Sequence, residues 1–535
     1  MQNNILLSIG LIFAITLLHV LSQRLKVSFP ILLVIGGLAL SEVPGIPSIG
    51  LAPDLVFLIF LPPLLYEAAW FTSWKDFQRL SGAIGVQAFG LVIFTSIVIA
   101  YFSHWLIPGL TLAAGFLLGG IISPPDAVAA TSVLHSLRVP KDAVTVLEGE
   151  SLINDSASLI VFQFALAAIL TRTFVFSEAA VRFVWVSIAG IGIGIIVAMA
   201  VFFIHKMIPT TPSIDTLFTM ISPYLMYLSA ETVHTSGVLA VVAGGLYLSY
   251  RSNDFLSARS RVQSGGVWTT LSFLLNGIVF ILIGLQLPVI VTSLGKNTSV
   301  WQATGYAVAI SIVTIAIRMI WVFPAAYLIR LGRQWRGSKA PLDWKVVMLV
   351  AWAGMRGVVS LASALAVPVM LYDGSAFPFR NLILYITFCV ILATLVFQGL
   401  SLPWLIRRLN FDPDEQFGSP AIQRESMSMR LALAALEHLD VRFGHECKNI
   451  PMFSRLRSSY EAIVSSAFVA GGTSPESEGE RAMSAKYKEV LLQLIDVERR
   501  ELILARREGS YDHELTRERE DELNLEEARL KRSED

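Results

Sequence analysis

Apolar residues run in long blocks from the N-terminus to about residue 406, and beyond that point only short apolar stripes remain among charges. A block of roughly 20 apolar residues can cross a bilayer, and in hydrocarbon a helix is the form that satisfies its own backbone. The blocks predict about thirteen spans. They lie near 5–21, 27–42, 51–70, 81–103, 110–134, 143–171, 182–204, 213–231, 234–250, 266–293, 302–330, 345–371 and 381–406. The first, Ile5 to Leu21, lacks a basic leader and a small-residue cleavage site, so it reads as a retained span.

The polar connections carry a strong asymmetry. Alternate connections hold Arg24 and Lys26; Lys75 and Arg79; Arg138 and Lys141; Lys206; Arg251, Arg259 and Arg261; Arg330, Arg333, Arg336 and Lys339; Arg407 and Arg408. The intervening set holds only Arg172, Arg182, Lys296 and Arg380. The basic set is cytoplasmic by the positive-inside rule. An odd number of spans then places Met1 outside and residues 407–535 inside, in a cell (inner) membrane. Each of these lysines and arginines reads as an orientation signal.

Composition agrees with the block pattern. The chain is 54% hydrophobic and 15% charged, against about 25% charged in soluble domains. Its net charge is zero, which gives nucleic-acid binding no support. Two cysteines, Cys389 and Cys447, imply no disulfide framework. No nucleotide loop or cofactor motif is present in the sequence.

Few ionisable residues fall inside the spans, and such residues are functional candidates because their burial costs several kcal/mol. They are Glu67, Asp126, Glu148, Glu150, Asp155, Arg318 and Arg356; Glu231 and His234 flank an external end and read as solvated. In the fifth span, Pro124 and Pro125 remove two backbone donors and disfavour helix before them. The helix should break there and restart at Asp126, whose carboxylate would meet free amide groups. The carbonyl of Pro125 would become available to a cation. Alternatively, Asp126 is only the cap of a kinked helix.

In the sixth span, Ser151 and Asp155 share one helical strip, and Glu150 and Asn154 share the next. Hydroxyl, carboxylate and amide oxygens of this kind suit small hard cations. The competing explanation is a capping cluster at the helix start, and Glu148 fits it. In the twelfth span, Gly354 and Gly357 flank Arg356, which suggests a weakened helix or close helix packing. A buried arginine there needs an acid or a carbonyl terminus. Spans 1–6 and 8–13 form two sets of six in opposite orientation, and the interrupted spans are the fifth of each. Paired interruptions at matching positions point to a transporter site.

These residues resemble the cation:proton antiporter family, in its sodium/proton exchanger branch of bacterial type. The run GESLINDSASLI, Gly149 to Ile160, is similar to that family's sixth-helix signature. SPPDAVAA, LPPLLYEAAW, GMRGVVSLA and NGIVFILIGL resemble its fifth, third, twelfth and tenth helices, in that order of description. The resemblance covers about residues 5–406. It implies an all-α polytopic membrane protein with two inverted six-helix repeats and crossed broken helices. It implies a homodimer, with a transmembrane antiporter domain over 1–406 whose core helices occupy about 81–171 and 302–406. Cation and proton binding would fall to Asp155, Asp126, Ser151 and the Pro125 carbonyl, with Glu67 nearby and Asn154 hydrogen-bonding beside them. Glu150 would pair with Arg318, and Arg356 would be the charge of the unwound twelfth helix. The family often has threonine before the fifth-helix aspartate and proline after it, where this chain has Pro125 and Ala127.

The expected activity is exchange of Na+, with K+ or Li+ as further candidates, for protons, without a cofactor. Asn154 beside Asp155 resembles the electroneutral branch, which implies one-for-one exchange. A passive cation channel is the alternative, and a membrane-embedded hydrolase is a weaker one. The tail, 407–535, shows helical stripes at Met427–Leu439 and Lys486–Arg507 and a loop at Gly471–Gly479, and a regulatory role is one reading of it.

Overall fold

A computed structural model describes residues 2–25, 28–43, 58–134, 137, 139–171, 176–208, 211–294, 299–335, 343–371, 374–411 and 420–471, with scattered positions between 492 and 527. Lys26, Arg138, Arg172, Lys296, Arg336, Lys339, the start of the third span, and most of Gly471–Gly479 and Lys486–Arg507 lie outside the described residues. The chain separates into two compact units, Met1–Phe411 and Asp412–Asp535.

The first unit is helical throughout its described elements. In order they are α1 (Gln2–Leu25), α2 (Phe29–Ser41), α3 (Leu61–Phe71), α4 (Trp74–Leu106), α5 (Leu112–Ile122), α6 (Ala127–Leu134) and α7 (Lys141–Thr171). There follow α8 (Phe176–Met207), α9 (Pro212–Thr232), α10 (Gly237–Phe255), α11 (Ala258–Ser293), α12 (Val300–Trp335), α13 (Trp344–Trp352), α14 (Val358–Leu365) and α15 (Arg380–Leu409). Helix occupies each interval that the apolar blocks predict. Among the described residues, seven helices are long and apolar enough to cross a membrane by length and composition. Their outer faces expose apolar side chains such as Ile93, Trp185 and Ile312, as lipid-facing helices do.

Helix starts follow local chemistry. Ser73, Thr111, Ser236, Ser257 and Asp343 each accept a backbone N–H from the first turn of the helix they precede. Pro62 and Pro63 open α3, where their missing N–H groups cost nothing. Two helices contain a π turn, Val86–Leu91 in α4 and Thr394–Gln398 in α15. Such turns recur at functional sites.

Two buried apolar clusters organise the unit. One joins α1, α2, α4–α7 and α11–α15; the other joins α3 and α8–α10 with Leu152 of α7 and Trp268 of α11. Helices α2 and α11 approach at backbone distance, since a Cβ on Gly37 would strike the Ile281 carbonyl and one on Gly284 the Val34 carbonyl. Without a hydrophobic force between helices in lipid, close small-residue packing of this kind holds them together.

In the second unit, α16 (Pro420–Asn449) and α17 (Pro451–Gly471) pack on each other, with a kink at Phe443. The stripe at Met427–Leu439 lies within α16. The second helix of the pair was not legible from stripes, because Arg455, Arg457 and Glu461 interrupt its apolar pattern.

Candidate functional site: two broken helices around a carboxylate pair

The fifth span breaks at its prolines. Helix α5 ends at Ile122, residues 123–126 are non-helical, and α6 begins at Ala127. The restart is therefore one residue later than expected, and Asp126 stands as its cap, with Oδ1 accepting the Val128 N–H at 2.8 Å. The twelfth span breaks as well, with residues 353–357 non-helical between α13 and α14. The two unwound segments meet where the Asp126 N–H donates to the Met355 carbonyl at 2.7 Å.

This crossing sorts the helix ends by charge. Asp126 receives hydrogen bonds from the first amides of α6 and also from Val358, the first residue of α14. Both positive helix ends thus point at one carboxylate. Arg356 has the opposite surroundings. It is fully buried. Its Nε donates to the carbonyl of Ile122, the last residue of α5, at 3.0 Å, and its Nη1 donates to the Gly354 carbonyl. The buried arginine is met by carbonyl termini, and its Nη2 makes no hydrogen bond among the described residues. The Arg356 N–H donates to Thr394 Oγ1 at 3.1 Å, which ties the π turn of α15 to the crossing.

Helix α7 supplies the second carboxylate. Asp155 is buried, lines the same cavity as Asp126, and is close enough to act on it electrostatically. Ser151, one turn earlier, accepts the Ala127 N–H at 3.2 Å and so also caps α6. Asn154 faces away from the cavity and donates to the Pro125 carbonyl at 2.9 Å. One lone pair of that carbonyl is therefore already engaged, leaving one for any other partner. Glu150 forms a two-pronged pair with Arg318, at 2.6 and 2.9 Å, and Arg318 also donates to the Val350 carbonyl. Both members are buried.

A cavity of about 840 Å³ lies between the two apolar clusters and is walled by α3, α6, α7, α11 and α14. Asp126, Ser151, Asp155 and Glu67 line it, as do Ser272, Ser360 and Gly357. It extends to Asp76 and Lys141 near the connections with basic residues. A Cβ on Gly357 would strike the Asp126 carboxylate, so only glycine leaves that carboxylate its place. The assembled groups are hard oxygen donors suited to a small cation. Among the described residues no three His, Cys, Asp or Glu side chains converge on one metal position.

One residue departs from expectation. Glu148 does not belong to a capping cluster, because α7 begins at Lys141 and its first-turn acid is Asp142. Glu148 lies two turns inside and lines the cavity. Its spacing of three and seven residues to Ser151 and Asp155 was the available signal, since these positions share a helix face. Thr394, Met355 and Ile122 had no such signal, because their parts depend on which strands of backbone cross.

Crossed broken helices around a buried carboxylate pair are the architecture of secondary transporters. The chain belongs to the sodium/hydrogen exchanger family, whose transmembrane family model matches residues 10–408. It is 33% identical over 388 residues to the sodium, potassium, lithium and rubidium/H(+) antiporter of Bacillus subtilis (strain 168), covering 70% of this chain and 57% of that protein. The chain thus spans rather more than half the length of that relative. It is 30% identical over 526 residues to an uncharacterized Na(+)/H(+) exchanger of Mycobacterium tuberculosis (strain H37Rv), covering 98% of this chain and 95% of that one. Among solved structures, the sodium proton antiporter MjNhaP1 of Methanocaldococcus jannaschii matches in fold with a TM-score of 0.58. That match is at 20% identity and covers 76% of this chain and 99% of that chain.

Proposed function

We propose that this protein is a secondary antiporter exchanging Na+, and also K+ or Li+, for protons across the cell membrane. The observation that carries this reading is the pair Asp126 and Asp155 on one cavity wall, beside the backbone crossing at Met355. The relatives' names, which specify monovalent cations and protons, point the same way.

The mechanism is competition for one site. A carboxyl withdrawn from water is stable when neutralised by a proton or by a bound cation, and unstable as a bare anion. Asp155 and Asp126 supply charge, and Ser151 and the free lone pair of the Pro125 carbonyl supply neutral oxygens. Glu67 borders the site. The loaded site crosses and the empty one does not, so cation flux in one direction couples to proton flux in the other without a nucleotide. Asn154 beside Asp155 contributes an amide in place of a second acid, in keeping with one-for-one, electroneutral exchange.

In this reading all thirteen or so helical intervals cross the membrane, Met1 is external, and the tail 407–535 is cytoplasmic, where it serves regulation. The cavity, which reaches Asp76 and Lys141, then faces the cytoplasm. The core helices are 81–171 and 302–406, the remaining helices carry a homodimer contact, and lipid surrounds both.

The test is a pH-sensitive dye in everted membrane vesicles, with Na+, K+ and Li+ added separately. Cation-induced dequenching is expected, and it should vanish in Asp155→Asn. Dequenching that survives in that variant would overturn the site. Net current at a clamped voltage, scaling with the cation gradient alone, would replace the antiporter with a channel.

A further inference from the structure

We infer that Glu148 is a capture residue, which draws a hydrated monovalent cation from the cavity mouth towards Asp155; this rests on the antiporter reading above. Lys141, Thr145, Glu148, Ser151 and Asp155 recur at helical spacing along α7, and all five line the one cavity. They form a polar stripe from the exposed end of the helix to the buried carboxylate. Glu148 is half-exposed and Asp155 is buried, so a cation entering from the Lys141 end passes Glu148 first.

The opposite wall completes the vestibule. Glu67 of α3 lies near enough to Glu148 to interact with it electrostatically. Ser272 of α11 is buried, faces the cavity and interacts with the Glu67 carboxylate. Two carboxylates, one of them held by the Ser272 hydroxyl, across the cavity offer a hydrated cation a transient resting place. Glu150, two residues on, cannot share this part, since it is turned away to Arg318.

Seven residues of helix separate Glu148 from Asp155 by about 10 Å along the axis. At that distance, and in a cavity intermediate between water and protein, one negative charge changes local cation occupancy about three- to ten-fold. The effect is screened once the Debye length falls well below the separation.

The experiment measures half-saturating Na+ for dequenching in everted vesicles of the full chain, at low ionic strength and again with an impermeant organic cation added. Glu148→Gln is expected to raise the half-saturating concentration about three- to ten-fold at low ionic strength, and less than about two-fold at high ionic strength. The maximal rate should hold. Thr145→Lys, which keeps Glu148 but places a positive charge nearer the mouth, should shift the value in the same direction with the same salt dependence. Unchanged half-saturation in both variants overturns the inference, and so does a change that ignores ionic strength, which marks a structural role. A wild-type chain with no cation response overturns the antiporter reading instead.

Discussion

The backbone N–H of Asp126 donates to the carbonyl of Met355 at 2.7 Å, across a sequence separation that joins the fifth apolar interval to the twelfth. This bond replaces, for each segment, an intrahelical partner lost where the helix unwinds. In a membrane such replacement is required, since an unsatisfied backbone group in hydrocarbon costs several kcal/mol. Unwound backbone persists here because two breaks satisfy each other.

Gly357 is the first place to test that crossing. A Cβ there would occupy the position of the Asp126 carboxylate. Gly357→Ala should lower the exchange rate by about 10- to 100-fold, because misplacing a reacting group by an ångström has effects of that size. The chain should still assemble in the membrane. Dequenching rates normalised to purified protein check this.

Glu150 predicts a stability effect. Its carboxylate is the acid paired with buried Arg318. Glu150→Gln should destabilise the protein by about 3–5 kcal/mol, because it strands a buried cation. A paired replacement of both residues by apolar side chains should recover most of that loss. Thermal unfolding in detergent decides it. An unaltered midpoint with weakened cation affinity would move Glu150 into the binding site.

Asn154 holds the Pro125 carbonyl. Asn154→Ala should cost about 1–3 kcal/mol through the partner left without its hydrogen bond, and should slow exchange while leaving the Ser151 contact to Ala127 in place. Thermal midpoints and half-saturation measured together separate the two effects.

In the second unit, the Arg457 guanidinium hydrogen-bonds Asp440 at 2.9 Å and holds its carboxyl below the ordinary carboxylate range. A lowered folded value means stabilisation present above about pH 4 and lost as pH falls through the lowered value. Both groups are exposed, so the effect is small. Asp440→Asn should speed amide exchange in α16 and α17 of the full chain at pH 7, and the difference should disappear once the pH has fallen through the lowered value.

Much of the site was legible because membrane burial makes charge conspicuous. Asp126, Asp155, Glu150, Arg318 and Arg356 stand out in apolar blocks, and two adjacent prolines announce a break. The division of α7 into one strip with Ser151 and Asp155 and another with Glu150 and Asn154 followed from helical spacing, and the structure decided that the first faces the cavity and the second the protein. Glu148 was misread although the apolar block, beginning near 143, already placed it inside the helix, because an acid near a helix start fits a cap as readily as a cavity wall.

The sequence alone determined the helical, membrane-embedded class, the positions of the two interruptions and the residues that carry charge, since each follows from local periodicity and the cost of burial. Only the tertiary structure decided that the interruptions cross, that Arg356 answers two carbonyl termini while Asp126 gathers two amide termini, and that Thr394 and Gly357 matter. Those relationships depend on which segments meet, and contact between segments far apart in the chain leaves no periodic trace in it.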